Sequence, residues 1–339
     1  MGKIKIGLMG FGEIGRDIYR LSTQLDDVDV TAISDIGKPE ILHYLLNAEG
    51  LPDQKEVSID GNYLVCGKQK TRMVKGIAPS DVPWDVLDVD YVIDTTQKYS
   101  TKEDMADHIK AGAKRVILAS LPTNDIDAII IPGINDDSAK ASDVFISAGS
   151  ATTNALAIML KVIDDAFGIE YAMMTSIHAY TSDQPIRDRV AKDFRRSRSA
   201  AENIIPNISR ATSFVEKILP KFAGKIDGSA LNVPVGMGSL LDLSSVLTRI
   251  PDTVEEFNAA IEAGLNKIPD VAEVVHDPIV SSDVIGNRKS VVFDELATLK
   301  TKGRMVKTLS WYDNSLAQAA RILDVVKIYG KLDGKGGNA

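Results

Sequence analysis

Residues Lys3-Ile4-Lys5-Ile6-Gly7-Leu8-Met9-Gly10-Phe11-Gly12-Glu13-Ile14-Gly15-Arg16 decide the fold of this chain. The apolar run Lys3–Met9 reads as a short buried strand, and Ile14, Ile18 and Leu21 then recur at helical spacing. The glycines of the Gly10-Phe11-Gly12-Glu13-Ile14-Gly15 turn therefore lie between a strand and a helix. Gly10 permits the tight turn, Gly12 lets the backbone approach a pyrophosphate, and Gly15 allows the helix to pack closely on the strand. The helix start adds N–H groups without intrahelical partners and the positive end of the dipole, both suited to phosphate. A second apolar strand, Val28–Ser34, ends in Asp35, about 20 positions beyond the last glycine. A carboxylate there accepts hydrogen bonds from a ribose 2′-OH and repels a 2′-phosphate, so the pattern predicts NAD rather than NADP. Glu13 is the unusual residue. It suits the dipole of an empty helix start but opposes a bound diphosphate unless it points away.

Working outward, strand-like runs return at Tyr91–Asp94, Arg115–Ser120, Ala128–Ile134 and Val144–Ser147, with a helix-like Lys102–Ala111 between the first two. This alternation predicts a parallel sheet with crossover helices. After about residue 150 the texture changes. A helix over Thr152–Phe167 leads to a strand over Ala172–Ala179, then to a polar, basic stretch from Thr181 to Ala201. Leu240–Leu247, Ser290–Thr298 and Met305–Trp311 read as longer strands, the last two joined by the turn Thr301-Lys302-Gly303-Arg304. Long strands joined by a tight turn predict an antiparallel sheet with helices on one face. Ser315–Tyr329 carries an apolar stripe and closes the pattern as a helix, and the Gly-rich tail Gly330–Ala339 is expected to fray.

Composition bounds the possibilities. The chain has 339 residues, 44% hydrophobic and 25% charged, with net charge −8, which is ordinary for a globular protein of roughly two domains. The acidic balance argues against general nucleic-acid binding. No apolar run reaches the roughly 18 residues of a membrane span, and no secretory leader is read ahead of the first strand. Cys66 stands alone, so no internal disulfide or cysteine-ligated metal site is expected, and the expected setting is reducing and cytoplasmic.

Two further blocks carry a resemblance. Ser150-Ala151-Thr152-Thr153-Asn154, with Ile177-His178-Ala179-Tyr180-Thr181-Ser182-Asp183-Gln184 downstream, is similar to the glyceraldehyde-3-phosphate dehydrogenase family. The likeness extends to Gly10–Arg16, Ala113-Lys114-Arg115-Val116-Ile117, Asn203-Ile204-Ile205-Pro206 and Ser310-Trp311-Tyr312-Asp313-Asn314. The resemblance implies an α/β chain with a Rossmann NAD-binding domain over residues 1–150, completed by a C-terminal helix at about residues 315–330. A catalytic and oligomerisation domain of α+β type with a largely antiparallel sheet would cover 151–314, and the assembly would be a homotetramer.

The departures matter as much. The family's nucleophilic cysteine falls at Ala151, and a methyl group has no lone pair with which to attack an aldehyde. The family's phosphate-binding arginine falls at Asn232, and its threonine-glycine pair at Ser209-Arg210. A Ser-Thr-Gly sequence near the nicotinamide becomes Thr95-Thr96-Gln97. By contrast, Thr181 and Asp183 match a substrate-phosphate site, and Asn314 matches the asparagine that orients the nicotinamide amide. Whether Ala151 is native or replaces a cysteine stays open at this point.

The expected roles follow. His178 matches the family's general base, although a packed core histidine is the plainer alternative. Asn154 would hydrogen-bond a substrate oxygen, or simply bond locally at a helix start. Ser150 and Thr152 flank the lost nucleophile. Arg187, Arg189, Lys192, Arg195, Arg196 and Arg198 concentrate positive charge, either to capture an anionic substrate or to pair across subunits, with Arg196 and Arg198 the expected ligand contacts. Arg210 would replace the charge lost at Asn232. The expected activity is hydride transfer between NAD and a small anionic aldehyde or hydroxy compound, by a route without a thioester or by none if the nucleophile has merely been silenced. A non-catalytic NAD-binding protein is the alternative.

Overall fold

The computed structural model describes residues 2–48, 55–191 and 193–336. Lys192 of the basic stretch and the last three residues of the tail lie outside the described residues. The chain divides into two compact units. One joins the residues up to Gly149 with those from Gln318 onward, and the other spans Ser150–Ala317.

The first unit is built on β1 (Ile4–Met9), α1 (Glu13–Ser22), β2 (Val28–Ser34), α2 (Pro39–Ala48), β3 (Ser58–Asp60), β4 (Tyr63–Cys66), β5 (Gln69–Val74), β6 (Tyr91–Asp94), α3 (Lys102–Lys110), β7 (Arg115–Leu118), β8 (Ala128–Ile129) and β9 (Phe145–Ser147). Its nine strands run in the order β3-β4-β5-β2-β1-β6-β7-β9-β8. From β5 to β8 every neighbouring pair is parallel. β1 lies between β2 and β6, so the winding reverses at its carboxyl end, where the crevice of a doubly wound sheet opens. Five of the six β1 residues are buried, as a central parallel strand covered on both faces requires.

Three findings differ from the reading of the sequence. First, β3, β4 and β5 form an antiparallel meander at the sheet edge. They are short and half exposed, so they carry little periodic signal. Second, the strand expected over Ala128–Ile134 pairs only at Ala128–Ile129, because Pro132 has no N–H for a ladder and Gly133 turns at a positive φ of 82°. Third, the tail is fastened through Gly336. The last helix continues to Leu332, Asp333 receives hydrogen bonds from Arg115 and Tyr91, and the Gly336 N–H donates to the Gly2 carbonyl.

The second unit contains α4 (Ala151–Phe167), β10 (Ile169–Ala179), β11 (Ile205–Ile208), α5 (Ala211–Ile218), β12 (Ile226–Val233), β13 (Ser239–Leu247), α6 (Val254–Leu265), β14 (Ala272–Val275), β15 (Val291–Lys300) and β16 (Met305–Tyr312); α7 (Leu316–Leu332) begins here. The seven strands run β11-β12-β10-β13-β16-β15-β14. Four neighbouring pairs are antiparallel, while β10 with β12 and β14 with β15 are parallel. The expected largely antiparallel sheet is therefore mixed at two places, because the β10-to-β12 connection crosses over through α5 and the β14-to-β15 connection through residues 276–290. Both β13 and β16 alternate buried and half-buried residues, the period of a sheet with one face in the core. α4 covers that face, and 13 of its 17 residues are buried. Among the described residues no helix is long and apolar enough to cross a membrane.

Candidate functional site

In the first unit the turn after β1 takes the shape its glycines permit. Gly10 has φ +94°, and a Cβ there would lie 2.8 Å from Thr95 Oγ1. A Cβ on Gly15 would lie 2.6 Å from the Gly10 carbonyl oxygen, so close packing of helix on strand requires that glycine. Gly12 is different: a Cβ there would meet nothing within 4 Å. It is exposed and caps α1 with no side chain to serve the first-turn N–H groups. The space beside it is thus an open cradle at a helix start. Glu13 and Ile14 head α1, both half-buried, and Phe11 is buried with its ring edge against Tyr19.

Asp35 closes the turn from β2. Its Oδ2 accepts from the Phe11 N–H at 2.7 Å and its Oδ1 from the Gly37 N–H at 2.7 Å. The half-buried carboxylate is fixed by backbone and keeps lone pairs for hydroxyl groups. From β6, the Thr95 hydroxyl donates to the Gly10 carbonyl at 3.0 Å, and Thr96 donates to Asp94 through both N–H and Oγ1. Gln97 holds φ +59°, a left-handed conformation in which a glycine costs nothing and a side chain is strained.

In the second unit, Ala151 is the first residue of α4 and is buried. Ser150 caps the helix, its Oγ accepting from the Thr153 N–H. Asn154 is buried, and its Nδ2 donates to the Ser150 carbonyl at 3.0 Å, the local bond of a helix start. His178, on the last turn of pleat in β10, forms a 2.6 Å hydrogen bond from Nδ1 to the Ala179 carbonyl. A carbonyl can only accept, so Nδ1 carries the proton and Nε2 presents a lone pair. Burial lowers the His178 pKa below 6.5, against the raising influence of the Ala179 carbonyl and Asp183. The ring is neutral at pH 7.

Tyr312 connects these parts, and reading the sequence missed it. Its hydroxyl lies 2.8 Å from Thr152 Oγ1 and 3.1 Å from Ser176 Oγ, and its ring stands edge-on to His178 at 6.4 Å. The signal was present: Val306, Thr308, Ser310 and Tyr312 occupy the inward positions of β16 at period two. Thr152 is thereby tied into a buried hydroxyl network.

The anion candidates are more dispersed. Asn232 pairs in register with His178 across β10 and β12, is buried, and accepts from Asn207 Nδ2 at 3.3 Å. Arg196 is ion-paired with Asp183, which also receives the Thr181 hydroxyl, and Arg198 pairs with Asp188 at 2.9 Å. Ser209 accepts from the Ala211 N–H ahead of α5. Arg210 is exposed and lays its guanidinium 5.0 Å from the Phe214 ring centroid. Asn314 is half-buried, and its Oδ1 is buried with no hydrogen-bond partner among the described residues.

These observations fit NAD. Within the first unit the open cradle at Gly12 suits a pyrophosphate and Asp35 a ribose.

Comparison with known proteins agrees. Residues 4–102 match the family model described as "Glyceraldehyde 3-phosphate dehydrogenase, NAD binding domain", and residues 150–314 match the corresponding C-terminal domain. The chain is 39% identical over 333 residues to glyceraldehyde-3-phosphate dehydrogenase 1 of Bacillus subtilis, covering 97% of this chain and 98% of that protein. It is 38% identical over 327 residues to glyceraldehyde-3-phosphate dehydrogenase of Geobacillus stearothermophilus, covering 95% and 97%. With both domains matched and the likeness running nearly end to end, this NAD-dependent chain belongs to the glyceraldehyde-3-phosphate dehydrogenase family.

Proposed function

We propose that this chain moves a hydride between NAD and a small anionic carbonyl or hydroxy compound without forming a thioester. One observation carries the proposal. His178 anchors Nδ1–H on the Ala179 carbonyl and keeps a lone pair on Nε2, while residue 151 offers only a methyl group. A neutral imidazole of lowered pKa is a proton acceptor even without a thiol to activate. His178 takes the proton of a substrate hydroxyl through Nε2, or in reverse returns it to a carbonyl oxygen. NAD, when bound, would supply the hydride acceptor or donor, and Gly10, Gly12, Asp35 and Thr96 of the first unit would hold it. Asn154, Thr152 and Ser150 set the oxygen at the start of α4, where the helix dipole favours developing negative charge. Thr181, Asp183, Ser209, Arg210 and Asn232, with Arg196 and Arg198, form the substrate's anion-binding surround. An anion there competes with Asp183 and Asp188 for the two guanidinium groups.

A second reading, an NAD-binding protein without turnover, is favoured by that same pairing, since it leaves Arg196 and Arg198 already neutralised. Nicotinamide absorbance across a panel of phosphorylated and carboxylated hydroxy compounds distinguishes the two. The proposal expects turnover of at least one compound by the chain as it stands. It also expects no phosphate-dependent aldehyde oxidation after Ala151→Cys. If that oxidation appears in the variant, and the unaltered chain turns over nothing, the chain is a silenced dehydrogenase of the family type and the proposal is wrong.

A further inference from the structure

A buried hydrogen-bonded chain in the first unit plays no part in the chemistry above. His108, on the last turn of α3, is 0% exposed, and so is Trp84. Trp84 Nε1 lies 3.1 Å from His108 Nδ1, and His108 Nε2 lies 3.2 Å from Asp94 Oδ2. Indole N–H can only donate, so His108 Nδ1 must accept. The ring proton therefore sits on Nε2 and points at Asp94. The other carboxylate oxygen, Oδ1, accepts the Thr96 N–H at 2.8 Å and the Thr96 hydroxyl at 2.6 Å. The Lys98 N–H then donates to Thr96 Oγ1 at 3.2 Å. The loop so folded contains Thr95, whose hydroxyl is bonded to the Gly10 carbonyl, and Gln97 in its left-handed conformation.

We propose that Trp84, His108 and Asp94 form a one-way relay that positions the Thr95–Gln97 loop for dinucleotide binding. His108 and Asp94 are positioning residues, not catalytic ones. The direction of every bond is dictated from the Trp84 end: indole donates to imidazole, imidazole to carboxylate, and the carboxylate collects the two Thr96 donors. A buried carboxylate with three donors is rigid, and it transmits that rigidity to the loop beside the glycine turn. Burying so polar a chain in the core of a parallel sheet costs desolvation. Ordering a cofactor-binding loop before the cofactor arrives lowers the entropy lost on binding. The inference rests on NAD binding alone and stands whether or not the thioester-free chemistry is correct.

Asp94→Asn provides the test because it changes donors without changing shape. Asn Oδ1 can keep both Thr96 bonds, but Nδ2 then meets the His108 Nε2–H donor to donor. Moving the ring proton to Nδ1 transfers the same conflict to the Trp84 N–H. Trp84→Phe removes that second conflict. NAD affinity of the full chain is measured by calorimetric titration, alongside thermal unfolding and ring ¹⁵N shifts of His108. Asp94→Asn is expected to weaken NAD binding about tenfold, the loss of one hydrogen bond's organisation. Adding Trp84→Phe is expected to recover most of that loss, although a core ring has been trimmed. Met105→Ala, a cavity on the same helix outside the relay, should lower the melting temperature and leave NAD affinity within about twofold. The proposal is overturned if Asp94→Asn binds NAD normally, if the double variant binds no better than the single one, or if affinity simply follows melting temperature across all variants. Should Asp94→Asn fail to fold, the ¹⁵N shifts of the unaltered protein still decide: a His108 protonated on Nδ1 sinks the relay.

Discussion

A single atom separates Ala151 from cysteine, yet it divides the chemistry at the start of α4. His178 keeps the orientation of a base, with its lone pair on Nε2. Because burial holds its pKa below 6.5, the proton-accepting form persists at and above that pH. The rate in the oxidative direction should therefore be level from pH 7 upward and fall only below 6.5. His178→Asn should lower it at least ~100-fold. A profile that rises through pH 7–8 would mean another group is the base. Gln97 makes a separate prediction. Its φ of +59° costs a residue with a Cβ about 1 kcal/mol. Gln97→Gly should leave stability to urea unchanged or raise it by up to that amount, since the glycine's extra freedom in the unfolded chain offsets part of the gain. Loss of 1 kcal/mol or more would show that the side chain makes contacts that outweigh its strain. At this scale the sequence was readable where chemistry is local. Gly10, at a positive φ, and Gly15, packed against the Gly10 carbonyl, stand as their types dictate. Ion pairing was not readable: nothing in the spacing of Arg196 and Arg198 says that Asp183 and Asp188 hold them, because those pairings depend on how the Thr181–Ala201 segment folds back on itself.

Among elements, the start of α1 separates binding from folding more cleanly than any other. Gly12 adopts φ −70°, which any residue tolerates, and its missing Cβ faces open space. Gly12→Val should therefore fold with an unchanged melting temperature while NAD affinity, read by fluorescence titration, falls at least ~10-fold. Normal binding in that variant would move the pyrophosphate elsewhere. Elements with a strong period were legible to within a residue or two, as with β2, β6 and α4. Those defined by partners were not. β12 carries the turn pair Asp227-Gly228 within its own span and is a strand because β10 and β11 flank it. β3 to β5 exist as a meander around two tight turns, with few buried residues to betray them. The inward position of Tyr312 was legible from the period of β16, but its partners Thr152 and Ser176, more than a hundred residues away, were not.

On the scale of the whole chain, the tail is the least expected part. Asp333 takes two hydrogen bonds from Arg115, at 3.1 and 2.6 Å, and a third from Tyr91. Partial burial alone would raise its pKa, but the Arg115 and Tyr91 hydrogen bonds outweigh it and hold the carboxyl below 3.8. A depressed carboxyl stabilises the fold above its unfolded value, and the benefit is lost as pH falls through the folded value. Asp333→Asn should thus cost about 2 kcal/mol in urea unfolding at pH 7. That difference should shrink as the pH drops below 3.8. A cost that does not change with pH would assign the effect to packing. The same fastening has a consequence for biosynthesis. The unit opened by β1 is completed only by residues from Gln318 to Gly336, among them Tyr329, whose hydroxyl donates to Asp143, and Gly336, which meets Gly2. A ribosome releases those residues some three hundred positions after the glycine turn, so the nascent amino-terminal half must wait, unsealed, while the intervening unit emerges and folds.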